Sequence, residues 1–166
     1  MLTRVSSSTA RPEHTPGRLL VVAIAFGEPR GTVGAMTPLP VFMEGLHGSL
    51  SIDRPRPGAV CVVIAAHDVG EFGPAPFRVL DEQLAAGPYA LFVDARQTQG
   101  ASIEVSNHWA RWLRANRDRL DRIHMLPGSR YVHVTADFVR RFAELEGSMV
   151  IYTDVAAFDE ALANAA

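Results

Sequence analysis

The amino-acid sequence predicts an α/β domain in which an opening β-hairpin leads into alternating helices and strands, building a mainly parallel sheet of four to five strands with helical cover. Three observations carry this. Two strand-like segments flank the turn "DRPRPG"; "YALFVD" is an almost uninterrupted apolar strand of the kind buried on both faces; and helical patterns separate every later strand. Right-handed crossovers between such strands bring them side by side and parallel.

The elements follow in order. Leu46, Gly48, Leu50 and Ile52 alternate with polar residues at the period of a half-exposed strand, and after the turn the run Val60 to Ala66 makes its partner. Pro76 suits a first helical turn, Phe77, Leu80 and Leu84 recur on one face, and Gly87 stands where helices stop. Tyr89 to Asp94 is the central strand, followed by a small polar stretch. Val105, Trp109, Trp112 and Leu113 then form the apolar face of a second helix, with Arg111, Arg114 and Arg117 opposite. "RIHML" is the next strand, "SRYVHVTADFVRRFAELEG" the next helix and "SMVIY" the last strand. The closing helix "DVAAFDEALANA" has Asp154 as N-cap and Val155, Phe158 and Leu162 facing inward.

The domain is expected over residues 46–166, with residues 1–45 as a weakly ordered extension. That stretch holds Pro12, Pro16, Pro29, Pro38 and Pro40, a Ser6 to Thr9 cluster and no sustained apolar period. Within it, Leu19 to Phe26 has the character of an export-signal core flanked by Arg18, but the run is short and Glu13 and His14 precede it. Met36 and Met43 offer alternative starts of translation. The run is also far below the roughly 20 residues that cross a bilayer, so no transmembrane segment and a cytoplasmic location are expected. Cys61 is the single cysteine and lies inside a strand, where a buried, inert thiol is expected.

Composition narrows the chemistry. Net charge is −2, which argues against nucleic acid as a partner, and Asp118 and Asp121 dilute the arginines of the second helix. All 16 basic residues are arginine, which removes Schiff-base and P-loop lysine chemistry. The six histidines show no metal-ligand spacing, and no nucleophile elbow or glycine-rich cofactor loop is present. No enzyme, metal or cofactor is therefore expected. His124, within a strand, reads as a satisfied core or edge histidine. His67 and Asp68 end a strand, the place where α/β sheets commonly bind ligands, and border a candidate pocket.

The hairpin, "YALFVDAR" as a central strand ending in aspartate, the helix after it, and "MVIYTDVAAFDEAL" as final strand and helix together resemble the STAS superfamily of anti-sigma-factor antagonists and sulphate-transporter domains, most closely its SpoIIAA-like (STAS/SEC14-type) branch. The resemblance covers Leu46 to Ala166. It implies a regulatory domain that binds a protein partner, switched in anti-sigma-factor antagonists by phosphorylation of a serine in an Asp-Ser-Ser-Gly loop. Here the motif is degenerate. Counted from Asp94 without gaps, its aspartate falls on Ser102 and its acceptor serine on Glu104; a shift of one or two residues brings Ser102 to the acceptor position instead. Asp94, Gln97, Ser102 and Glu104 are thus a candidate partner-binding loop, with Ser102 alternatively a plain N-cap. The SEC14-like name implies a second function, binding of a small apolar ligand or lipid in a pocket lined by His67, Asp68, Trp109, Trp112, Tyr131 and Phe138. Nothing in the sequence fixes the oligomeric state.

Overall fold

Strand β1 (Leu20–Ala23) pairs antiparallel with β2 (Val41–Glu44), β2 with β3 (Gly48–Arg56), and β3 with β4 (Ala59–Asp68). From there the pairing turns parallel, through β5 (Tyr89–Ala101), β6 (Leu120–Pro127) and β7 (Met149–Ile151). The result is a seven-stranded sheet in the order β1-β2-β3-β4-β5-β6-β7. This computed structural model describes residues 20–23 and 37–165. The α/β class, the hairpin around Pro57 and Gly58 and the alternation after it are as the sequence predicts. The sheet is wider than expected, and its first three pairings are antiparallel. It also begins upstream of Leu46: β2 lies in the stretch assigned to the extension, and its Val41 and Met43 are fully buried. Four residues alternating buried and exposed are a strand, but Pro38 and Pro40 immediately before them mask that short period in the sequence.

The helices are α1 (Ala75–Ala85), α2 (Ile103–Asn116), α3 (Arg130–Phe142) and α4 (Val155–Ala163). Because β4 to β7 are added in one direction, right-handed crossovers bring α1, α2 and α3 to the same face. The main core fills that face. Leu50, Ile52, Val60, Val62 and Leu91 from the strands meet Val79, Leu80, Ala110, Leu113, Ala136 and Val139 from the helices. The opposite face is covered by α4, where Phe158 packs with Ala59, Cys61, Phe92 and Leu126. Leu162 packs against this second cluster as expected, whereas Val155 points outward and is 44% exposed. On the same side His124 stacks on Phe92 at a centroid distance of 4.2 Å and shares a 2.8 Å hydrogen bond between its Nδ1 and the Tyr152 hydroxyl. It is a satisfied interior histidine. Burial, helped by Arg122, pushes its pKa down to about 4.

The β2–β3 turn is fastened by a carboxylate. Glu71 accepts hydrogen bonds from the backbone N–H groups of Leu46, His47 and Gly48 at 2.8, 3.1 and 3.1 Å. Desolvation opposes its ionisation, but these bonds prevail and its pKa is lowered. A side chain at Gly45 would displace the Glu71 carboxyl from its place against the turn. No described helix is long and apolar enough to cross a membrane.

Candidate functional site

Two regions hold the candidate residues: the segment from Asp94 to Ser106, and the space between the sheet and α2–α3. The first is not a loop. Strand β5 runs for 13 residues and stays paired with β4 as far as Ala101, so the polar stretch expected to connect strand and helix is itself strand. It does so by bulging. Val63 pairs with Asp94 but Ala65 with Gln97, and Ala66 pairs with Thr98 but His67 with Gly100, which places an extra residue on β5 twice. Each bulge reverses the alternation of faces. Ala66 sits beside them with φ 59, in the left-handed region.

The four residues of the candidate partner loop consequently separate. Asp94 is half-buried and ion-paired at 2.9 Å with Arg96, which also reaches Asp159 on α4 at 2.8 Å. Gln97 is exposed on β5. Ser102 is the N-cap of α2, its hydroxyl oxygen accepting from the Val105 N–H at 3.2 Å, and Glu104 is exposed in the first turn, where a negative charge complements the helix dipole.

The second region is a cavity of ≈ 80 Å³ between the sheet and α2–α3. Ile64, Ile123, Met125 and Met149 floor it from the strands; Val105, Leu113, Val132 and Val139 close it from the helices. On β5, Val93 and Ala95 line it at period two, and after the bulges Thr98 and Ala101 follow at period three. Bulging thus turns small side chains toward the cavity along an otherwise polar segment. Asp68, Trp109, Thr98, Ser106 and Thr135 also belong to the lining, but the surface turned to the cavity is almost wholly apolar, and the three hydroxyls are bonded to backbone carbonyls.

Asp68 is 7% exposed. Its carboxylate accepts from the Gly70 N–H at 3.3 Å and from the Trp109 indole N–H at 3.4 Å, both long. Burial raises its pKa, against the lowering effect of those two bonds. Trp109 is held edge-on by Phe77 of α1 at 4.9 Å, and the same Asp68–Trp109 pair also borders a smaller cavity of ≈ 20 Å³.

Of the six residues expected to line a pocket, Asp68 and Trp109 do so. His67 is exposed at the end of β4. Trp112 faces α1, donating to Asp81 at 2.8 Å. Tyr131 and Phe138 lie on the outer face of α3, 58% and 49% exposed, because that helix is apolar on both sides: Val132, Ala136 and Val139 take the inner face. Thr98, Ser106 and Thr135 were not among the expected lining residues. The strand period that would have placed Thr98 inward is broken by the bulges, and small hydroxyl residues carry no pocket signal of their own. Among the described residues no group of three or more His, Cys, Asp or Glu is placed to hold a metal ion.

Among solved structures, the chain is similar to an uncharacterized protein from the DUF3478 family with a SpoIIAA-like fold, from Shewanella loihica PV-4, with a TM-score of 0.54 over 72% of this chain and 97% of that one. The fold is SpoIIAA-like. At 14% identity the likeness is one of architecture, and it agrees with the resemblance drawn from element order. No protein-family model matches the chain, and no curated protein matches it. This SpoIIAA-like fold carries a long bulged β5 and, beneath α2 and α3, an apolar cavity.

Proposed function

We propose that this SpoIIAA-like chain is a non-catalytic binding domain whose site is the cavity between the sheet and α2–α3, taking a small, mainly apolar molecule. The single observation that carries this is the cavity itself: a space walled by close to a dozen aliphatic and thioether side chains in an interior that otherwise packs densely. Size sets the ligand. Allowing about 15 Å³ for each water-sized group, ≈ 80 Å³ seats roughly five. A lipid chain would need α2 and α3 to part, since ligand pockets for larger molecules run to about 300–1,000 Å³. Against catalysis stands the one thiol: burial first, then nearby Asp94 and Asp53, push Cys61 up to about 12, so no thiolate is at hand at neutral pH.

The test uses cyclopentane, five carbons without a polar atom. NMR titration should give saturable shifts in the methyl groups of Val93, Leu113 and Val132, abolished by the cavity-filling Ala136→Leu. Absence of saturation in the wild type would overturn the reading.

A second reading, a protein-binding regulatory domain, is favoured by the outer face of α3, where Tyr131, Val134, Phe138 and Phe142 make an exposed apolar stripe and Phe138 stacks on Phe142 at 5.9 Å. Were this the working surface, Phe138→Glu would abolish capture of a partner from native cells and leave cyclopentane binding intact.

A further inference from the structure

Helices α2 and α3 each follow a strand of the parallel half of the sheet, so they lie side by side and run in one direction. Two fastenings fix their register. At their starts the Tyr131 hydroxyl donates to the Ala101 carbonyl at 3.4 Å; at their ends Arg114 and Arg117 pair with Glu144. Phe138 therefore stands level with Asn107 and His108 at the middle of α2. On the outer side of the pair an open groove of ≈ 690 Å³ is lined by Ile103, Glu104, Asn107, His108, Arg111 and Phe142. Ile103, 80% exposed, extends through Phe142 the apolar stripe of Tyr131, Val134 and Phe138.

The charges of α2 are unequally satisfied. Arg114 is paired with Glu144, whereas Glu104 and Arg111 are exposed and neither joins an ion pair among the described residues. The Arg111 Nε–H reaches the Asn107 carbonyl at 3.3 Å. Glu104 and Arg111 stand two turns apart on one side of the helix, about 10 Å along its axis, with Asn107 and His108 midway.

We infer that this face binds a second copy of the chain about a two-fold axis that crosses α2 between Asn107 and His108 and α3 at Phe138. In such an interface every contact off the axis occurs twice. With α2 antiparallel to its copy, Glu104 meets Arg111 of the second copy and Arg111 meets its Glu104. On α3 the same axis sets Val134 against Phe142 of the second copy and Phe138 against its own counterpart. One axis thus centres both the unpaired charges and the apolar stripe, a symmetry that an unrelated partner does not call for. The area agrees. An aromatic side chain presents about 150–250 Å², so half-exposed Tyr131, Phe138 and Phe142 with Val134 and Ile103 offer roughly 500 Å² of apolar surface. The polar rim of Glu104, Asn107 and Arg111 brings this toward the ~800 Å² that each partner gives to a stable interface. The inference does not depend on the cavity being a ligand site, and it gives to a second copy the face that a different protein takes in the second reading above.

Sedimentation equilibrium of the full chain should show the mass of two chains, dissociating on dilution. Phe138→Glu, which brings two carboxylates together at the axis, should leave single chains. Glu104→Arg and Arg111→Glu, which turn both pairings into like charges, should each raise the dissociation constant at least tenfold. An equimolar mixture of these two variants should regain the wild-type affinity, because every pairing between unlike chains again joins opposite charges; a purely structural effect of either substitution predicts no such recovery. Should one of the two fail to fold by circular dichroism, the double variant, which also restores opposite charges at both pairings, takes the place of the mixture. A wild type that stays a single chain at every concentration overturns the inference, whether or not it captures a different protein through Phe138. A dimer that survives Phe138→Glu, charge reversals without effect, or a mixture that recovers nothing overturns it as well.

Discussion

His124 shows how a side chain with no ligand still leaves a measurable mark. Buried between Phe92 and Tyr152, it holds its neutral form down to about pH 4, while in the unfolded chain it takes up a proton near 6.5. The unfolded state therefore binds more protons between those values, and stability falls as pH drops from about 6.5 to 4. The loss is at most about 3 kcal/mol from this residue. Urea melts at pH 7.5 and 4.5 should show it, and His124→Phe, which keeps the stack on Phe92, should narrow the difference between the two conditions. An unchanged difference would place the acid sensitivity elsewhere. At this scale the sequence was informative where function is local: Ser102 and Asp154 as N-caps follow from a small polar side chain standing just before an apolar helical pattern. It was silent on Thr98 and Ser106, whose importance comes from what lies across from them.

Helix α2 is where elements and cavity meet. Its inner face is set by Val105, Ala110 and Leu113, and Trp109 bridges α1 and the cavity by packing edge-on against Phe77 while its N–H reaches Asp68. Being half-buried, Trp109 replaced by alanine should cost about 2–3 kcal/mol, short of the ~3–5 typical of a fully buried large aromatic. Arg114→Ala on the opposite face, which loses an exposed pairing with Glu144, should move the thermal midpoint far less. Equal shifts from the two substitutions would show that the indole contributes no packing. The helix was legible because its apolar period of 3.6 is regular. Strand β5 was not, beyond Asp94, because Arg96, Gln97, Thr98 and Gln99 read as connection. What makes them strand is pairing with β4, a long-range interaction that local composition does not encode. The outward placement of Tyr131 and Phe138 was hidden for a related reason: α3 carries two apolar faces, and periodicity alone does not say which one meets the sheet.

For the molecule as a whole, the N-terminal limit is the sharpest test. Val41 and Met43 are 0% and 1% exposed, and each contributes about 1.5–3 kcal/mol by burial. A chain of residues 46–166 should melt roughly 10 °C or more below one of residues 37–166; coincident melts would show that β2 adds nothing to the core. The α/β class and the run of crossovers were legible because each strand announces itself between helices. The antiparallel start was only half legible, since the β3–β4 hairpin has its turn in view while β2 is short and lies behind prolines. The strand order has a consequence for the growing polypeptide. Every neighbour in the sheet is a neighbour in the chain, so as synthesis proceeds each new strand finds the edge left by the one before it. Helix α4 is the exception: it emerges after all seven strands and reaches back, through Phe158, to Phe92 and Cys61 on strands completed long before. A nascent chain that halts short of Asp154 therefore holds a finished sheet with a bare apolar strip of Cys61, Phe92 and Leu126, the kind of exposed surface at which unfinished chains adhere.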